Sequence, residues 1–568
     1  MPRKVVSSNC FGHTRAWLKD CLEKHPDCQQ LENGQLPTRV IDVGSIDSLE
    51  SPRLCLGKGE SGSWVTLSHR WGNQKITITT KSNINDHLQT LPISSLSPTF
   101  RDAVTITREL GFQYLWIDSL CIIQDCEDDW IHESARMGTI YKNSVVTIAA
   151  SHPSSETEGI LADRRSIRWS GLLDSHIEIP YHGARSSEEV VIYAREPMQP
   201  FDDIIDMKYF NLLQRRGWIL QETVLSPRTI HWSQEQMIWH CQTCVQVEAD
   251  SKPIYASQHA FSWANSKTFL RRKSDVGTNS RSGEDPPIPT SASINTLWLG
   301  LVVDFCNRQL TYKDDTFPAI SGMAKEIHSI TTDTYCAGIW KSDIHRGLLW
   351  SFHAPLDDTE EESYLAPSWS WAAKSSTADD TMDPYFYMLN TKEVEEEPGA
   401  NMEVIDFHRV LKTADPFGKL LDGRLTVRGW TRSPYFVLCT PSSPTSGEGS
   451  EDSRSSITSD ESQEEIMLEP MLNYFDETTG IRYSLDNHTH QQEFQEQNNF
   501  KGSFLVLAVA ELQGTANEGD RFGSGMTSGL LLREKLSEPG SYIRVGLIEV
   551  PTEVSREEPW QLRLCTLV

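Results

Sequence analysis

Hydrophobic and polar positions follow two distinct periods between residues 61 and 250. WVTLSHRWG (64 to 72) is a short strand pattern that ends in Gly72. Phe100, Ala103, Val104, Thr107 and Leu110 then recur at helical spacing up to Gly111, behind a Thr99-x-x-Asp102 capping-box signature. YLWID (114 to 118) is an apolar run suited to a strand buried on both faces. DDWIHESARMGTIYKN sets Trp130, Met137 and Tyr141 at helical spacing, with Asp129, Glu133 and Arg136 on other faces. SVVTIAAS (144 to 151) is another buried strand. The order strand, helix, strand, helix, strand predicts an α/β fold: a parallel sheet with flanking helices. RRGWILQETVLSPRTIHWSQEQMIWHC (215 to 241) predicts a helix, a Pro-terminated turn and a hairpin. A mixed, helical middle region (251 to 415) and a β-rich C-terminal domain (416 to 568) follow. The second rests on RLTVRGW, YFVLC, FLVLAVAEL, GLLLREK, YIRVGLIEV and WQLRLCTLV. Two polar stretches, 271 to 293 and 441 to 465, lack periodicity and read as a disordered linker and a disordered acidic insertion.

Composition narrows the class. A chain of 568 residues holds several domains. A formal net charge of −27 makes nucleic acid and anionic membrane poor partners by default. The insertion at 441 to 465 carries seven acidic residues and one Arg, so the excess on the folded domains is milder. The N-terminal residues lack the apolar core of a signal peptide, and no stretch nears the roughly 18 to 20 apolar residues that span a bilayer. A soluble, cytoplasmic protein is expected. Gly57-Lys58-Gly59-Glu60-Ser61-Gly62 fits G-x-G-x-x-G, but it precedes a strand and offers no helix N-terminus to a pyrophosphate, so a turn is expected. No Walker A, H-E-x-x-H, G-x-S-x-G or kinase motif set occurs.

Sites in parallel α/β sheets collect at the carboxyl ends of strands. That singles out three strand ends: Ser68 to Gly72, with Ser68, Arg70 and Trp71 as pocket candidates, then Asp118 and Ser119, and Ala150 and Ser151. An acid closing a hydrophobic strand, as Asp118 does, must be paired, solvated or functional; a helix N-cap or a pair with Arg70 is the structural alternative. Trp218 and Glu222 lie four apart, so one helix face carries an aromatic plane beside a carboxylate. That suits a planar ring next to a sugar whose anomeric carbon gains positive charge. A core Trp with Glu222 paired to Arg228 or Arg216 serves equally well. Twelve Cys are too sparse for a disulfide scaffold. Cys21, His25 and Cys28 are zinc-type ligands at a spacing that matches no standard finger, and Cys241-x-x-Cys244 is a single pair following a hairpin, so no metal is assigned.

The blocks WVTLSHRWG, FRDAVTITRELGFQYLWIDSLCIIQDCEDDWIHESARMGTIYKNSVVTIAAS and RGWILQETVLSPRTIHWSQEQMIWHC resemble, in this order, the fungal heterokaryon-incompatibility (HET) domain over about residues 61 to 250. The flanks, from WLKDCLEKHPDC and LPTRVIDV to LTYKDDTFPAISGMA, YCAGIWKSDIHRGLLW and APSWSWA, look like that family's surroundings. His69 replaces the family's usual aromatic, and His240 its usual Glu. The resemblance divides the chain into an N-terminal extension (1 to 60), the HET domain (61 to 250), the middle region and the β-rich domain. It implies a fungal protein of self/non-self recognition and programmed cell death. The domain is distantly similar to TIR domains, where a helix carries Trp-Cys-x-x-Glu and the Glu serves NAD-cleaving members. Trp218-Ile219-Leu220-Gln221-Glu222 keeps that spacing with Ile for Cys, which makes Glu222 the catalytic candidate by analogy. Two activities stay open: an NAD glycohydrolase that uses NAD as substrate and needs no cofactor, and a non-catalytic module that works by self-association. The partners implied are further copies of the chain or other signalling proteins.

Overall fold

The computed structural model describes residues 8–28, 34–48, 50–71, 77–151, 159–161, 176–182, 189–195, 213–233, 236–248, 250–255, 291–352, 364–374, 386–388, 399–400, 402–432, 473–475, 481–486, 504–513, 525–551 and 560–568. The insertion at 441 to 465, the YFVLC run, Gly72 and most of the 271 to 293 stretch lie outside them. Residues 291 to 293 open a helix, Ser291–Cys306. Two compact units form: Met1–Asp333 with Leu411–Lys419, and Thr334–Val410 with Leu420–Val568.

The apolar runs of the first unit meet in one nine-stranded sheet. In chain order its strands are β1 (Arg39–Asp42), β2 (Arg53–Leu56), β3 (Trp64–Ser68), β4 (Tyr114–Trp116) and β5 (Val146–Ala149). A separate hairpin, β6 (His176–His182) and β7 (Glu189–Arg195), comes next. The sheet continues with β8 (Arg228–Trp232), β9 (Met237–Cys241), β10 (Cys244–Val247) and β11 (Asp250–Tyr255). The lateral order is β11-β10-β9-β8-β5-β3-β4-β1-β2. The central strands β8, β5, β3 and β4 run parallel, with Thr66 opposite both Trp116 and Thr147. Every residue of β3 and β5 is buried, as parallel strands covered on both faces require. The flanks are antiparallel, so the sheet is mixed where a parallel one was expected. Short turns join β8 through β11 in sequence, and a short turn permits only antiparallel pairing. Because β1 and β2 belong to this sheet, residue 60 does not divide it. The G-x-G-x-x-G run forms a turn with Lys58 and Gly59 at positive φ, between β2 and β3, and no helix follows it.

Among the described residues, the α-helices of the first unit are α1 (Ser8–Lys24), α2 (Ile84–Gln89), α3 (Pro98–Glu109), α4 (Asp118–Cys121), α5 (Glu127–Ser134), α6 (Met137–Lys142), α7 (Gly217–Leu225), α8 (Ser291–Cys306) and α9 (Thr316–Thr331). The cap of α3 is Ser97, two residues before the expected Thr99: its hydroxyl accepts from Phe100 N at 3.3 Å, and Pro98 has the fixed φ suited to the first helical position. Asp102 instead accepts from Leu161 N. Helix α1 lays Phe11 against Trp232 and Trp17 against Trp239, so the N-terminal segment is part of the sheet's core.

Helices α6, α7 and α9 pack closely because two glycines meet. A Cβ at Gly138 would stand 2.7 Å from Gly322 Cα, and one at Gly322 would stand 2.6 Å from Gln221 Oε1. Gly322→Ala is therefore expected to cost about 1–3 kcal/mol through overpacking. Hydrogen exchange of the α9 amides measures it; wild-type protection in the variant would mean the helices do not touch there.

The second unit is β-rich, as expected. Leu420–Arg432 pairs with Gln561–Leu567, and Phe504–Gln513, Gly525–Glu534 and Ser541–Pro551 form consecutive antiparallel pairs around Ile481, Val506, Leu531 and Val545. The unit begins at Thr334, so helices α8 and α9 of the expected middle region fall in the first unit. No helix among the described residues is long and apolar enough to cross a membrane.

Candidate functional site

Strands β5, β3 and β4 are neighbours and end together. Ala150 N donates to Ser68 O at 2.9 Å, which ties the end of β5 to that of β3. Polar residues gather at these ends: Ser68 closes β3 and His69 follows it, Asp118 and Ser119 come after Ile117 beyond β4, and Ser151 comes after Ala150 beyond β5. Asp118 gathers this end. Its Oδ2 accepts from Trp71 Nε1 at 2.9 Å, its Oδ1 accepts from Ser119 N at 2.7 Å, and His69 Nδ1 stands 3.8 Å from Oδ1. It thus starts α4 and orients Trp71, rather than pairing with Arg70. Arg70 and Trp71 are half-buried in the turn that follows β3.

Glu222 comes from the other side of the chain's path. Helix α7 is buried along its length except at Trp218, and it ends where Pro227 follows Ser226. A chain of buried hydroxyls fixes it to the sheet. Thr66 Oγ1 meets Thr147 Oγ1 at 2.7 Å, Thr147 Oγ1 meets Ser226 Oγ at 2.5 Å, and Ser226 Oγ donates to Glu222 O at 2.6 Å. This links the last turn of α7 to β3 and β5 and sets Glu222 by the strand ends.

Glu222 is 4% exposed. Burial, and then the charge of Asp118, push its carboxyl up to about 7, where a carboxyl group exchanges its proton near neutrality. The Ser68 and Tyr141 hydroxyls and the Arg216 guanidinium favour the ionised form but do not offset burial. The hydroxyl contacts are weak: Ser68 Oγ and Glu222 Oε2 have no well-formed hydrogen bond among the described residues, and the Tyr141 hydroxyl donates to Leu67 O at 3.0 Å. His69 Nε2, Ser119 Oγ, Ser151 Oγ and both amide atoms of Gln221 are likewise buried without a partner. Unmet polar atoms are costly in a core; those of Ser68, His69, Ser119 and Glu222 lie at or near the strand ends, whereas Gln221 Oε1 faces Gly322 on α9.

Of the residues expected at this site, Ser68, Trp71, Asp118, Ser119 and Glu222 come together. Trp218 does not join them as a free ring. Its indole N–H donates to Asp315 Oδ2 at 3.1 Å, and it stands edge-on to Trp130, whose ring carries Lys419 Nζ at 4.9 Å. Arg228 is not the partner of Glu222 either; it donates to Val145 O, Cys21 Sγ and Cys28 O. Arg216 is close enough to act on Glu222 by charge while its Nη1 donates to His69 O at 2.9 Å. Tyr141 was not foreseen, and His69 only as part of the Ser68 to Gly72 strand end. Burial holds the His69 imidazole below its ordinary pKa, hence neutral, with its ring edge-on to Phe100. A polar residue at the end of an apolar strand was the available signal for His69. Tyr141 carried none, since its spacing is that of a core residue.

A second cluster lies at the start of the chain. Cys21, His25 and Cys28 are joined by Cys241, the last residue of β9, and their four ligand-type atoms lie within 4.8 Å of one another. Cys21 and His25 are four apart at the end of α1, so they share a face, and Cys28 sits one short turn later.

No curated protein and no solved structure matches the chain. A family model described as "Heterokaryon incompatibility protein (HET)" matches residues 64–222, from the first residue of β3 to Glu222. The strands whose ends form the site, and the helix that carries its carboxylate, thus fall within a heterokaryon-incompatibility (HET) domain, and this chain is a HET-domain protein.

Proposed function

We propose that the HET domain cleaves NAD between ribose and nicotinamide at Glu222, and that the chain acts through this reaction in fungal self/non-self recognition and programmed cell death. One observation carries the reading: a buried carboxylate poised near neutrality lies at the ends of parallel strands, amid unpartnered hydroxyls. The Trp-to-Glu spacing shared with NAD-cleaving TIR domains supports it as an analogy.

The chemistry follows from the groups present. Ionised Glu222 holds the ribose hydroxyls and stabilises the positive charge that builds on the anomeric carbon as its bond to nicotinamide breaks. The bonding electron pair leaves on the pyridine nitrogen, so nicotinamide departs neutral. Water adds to the anomeric carbon and yields a proton to Glu222. In sum, NAD⁺ and water give ADP-ribose, nicotinamide and a proton. Trp71, held by Asp118, offers a ring face for stacking, and Ser68, Ser119 and Arg70 shape the surrounding surface.

The test is nicotinamide release from NAD by concentrated, purified full-length protein, followed by chromatography. Glu222→Gln is expected to lower the rate by about 10²-fold or more with circular dichroism unchanged. Wild-type protein that leaves NAD intact at high concentration refutes the enzyme and leaves a non-catalytic module.

A further inference from the structure

We propose that Cys21, His25, Cys28 and Cys241 hold a structural zinc ion that fastens the N-terminal helix to the end of strand β9. This rests on a cluster separate from Glu222 and does not depend on NAD cleavage.

The donor set is three thiol sulfurs and one imidazole nitrogen, which with tetrahedral geometry selects zinc among common divalent ions. The distances approach that geometry, and a contraction of about 1 Å at the widest pair completes it. Zinc bonds of about 2.3 Å to sulfur and about 2.0 Å to nitrogen place neighbouring ligand atoms about 3.5–3.8 Å apart. Cys241 Sγ stands 3.5 Å from His25 Nδ1, and all four ligand atoms lie within 4.8 Å of one another. Cys21, Cys28 and Cys241 are almost fully buried, at 0%, 0% and 2% exposure. Four protein ligands fill the coordination sphere and leave no position for a reacting water, which is the form of a structural site.

The surroundings are those of thiolates. Arg228 Nε donates to Cys21 Sγ at 3.2 Å, and Cys244 N donates to Cys241 Sγ at 3.4 Å. Both are donor-only groups that a thiolate sulfur accepts from; Cys241 Sγ also stands 3.4 Å from Cys244 O. Three thiolates around a divalent ion leave one negative charge, which the buried Arg228 guanidinium balances. Without a metal, four such side chains would bring like charges, or competing S–H donors, into one buried space. The second cysteine of Cys241-x-x-Cys244 thus has a role in the outer shell: its backbone N–H supports the ligand sulfur, as second-shell donors do. Thr243 Oγ1, 3.5 Å from Cys28 Sγ, stands in the same turn.

The ion would close a long loop. His25 and Cys241 are 216 residues apart in sequence, so metal binding draws α1 onto β9 and contributes to folding directly.

The full-length protein, purified without added metal or chelator, is expected to contain about one zinc per chain by elemental analysis, as a single four-ligand site would hold. Replacement by cobalt(II) should give the intense visible absorption and the sulfur-to-metal charge-transfer band of a tetrahedral thiolate site. Cys28→Ser and Cys241→Ser should lose the metal, and Cys244→Ser, which retains the backbone donor, should keep it. Chelation should lower the unfolding midpoint of the wild type and leave that of Cys241→Ser unmoved. If the cysteine variants do not fold, the wild-type zinc content and cobalt spectrum decide alone. Folded wild-type protein with no zinc and no thiolate–cobalt band, or a disulfide within the cluster, overturns the proposal.

Discussion

Glu222→Gln is expected to make the HET domain more stable at pH 8, by about 3 kcal/mol, while abolishing nicotinamide release. The folded-state pKa of Glu222 lies near 7 against an ordinary 4.5, so the folded chain holds a proton there that the unfolded chain has already lost. Between those values the folded state binds more protons. The stability associated with this group therefore falls as pH rises from about 4.5 to about 7, and the full penalty is in place above 7. At about 1.4 kcal/mol per pH unit the penalty reaches about 3 kcal/mol. Gln has nearly the same shape and no charge to bury, so it removes the penalty. Hydrogen exchange of the α7 amides reads the effect as about 10²-fold slower opening in the variant at pH 8, with little difference near pH 4.5. Equal protection of the two proteins at pH 8 would show that Glu222 is not destabilised by burial. A site residue that lowers stability is what a trade between function and stability predicts.

The second large effect belongs to the other unit and has no part in the chemistry. Arg544 is 1% exposed and donates to Leu348 O at 3.2 Å, to Trp350 O and to Asp486 Oδ1 at 3.2 Å. Its guanidinium also lies over the Trp350 ring. Arg544→Leu leaves a buried carboxylate without this cation and two carbonyls without these donors. Breaking such a pair on one side costs about 3–5 kcal/mol. Replacing Asp486 by Leu as well removes the stranded charge, and the double variant is expected to recover part of the loss. Limited proteolysis across a denaturant series measures both variants. A double variant no more stable than Arg544→Leu would mean that the carbonyls, not the carboxylate, carry the cost.

Buried parallel strands leave an unusually readable trace, and this explains how much of the site was visible in the sequence. The runs ending at Ser68 and Ser151 are apolar throughout because both faces are covered, so the polar residues at their ends stand out. Asp118 stands out for the same reason. Glu222 was legible from its four-residue spacing to Trp218 and the likeness of that spacing to the TIR Trp-Cys-x-x-Glu helix. What stayed hidden depended on distant partners. Helical spacing puts Trp218 on one face with Glu222, but the indole is taken by Asp315, 97 residues further on. The predicted hairpin foretells the antiparallel pairing of β8 with β9, but the antiparallel pairing of β1 with β4 follows from lateral order, which local pattern does not carry. The cysteines near the N-terminus matched no zinc spacing because their fourth partner, Cys241, arrives only when β9 is laid beside α1. The cap of α3 was misplaced because two hydroxyl residues, Ser97 and Thr99, flank Pro98, and only the turn geometry decides between them.

The most direct test of the account is the rate of nicotinamide release from NAD by the full-length protein as a function of pH, wild type beside Glu222→Gln. The account predicts a wild-type rate that rises to a plateau with its midpoint near 7, where Glu222 loses its proton, and a variant that stays at background across the range. NAD left intact by the wild type at every pH, or a variant that matches it, would contradict the account.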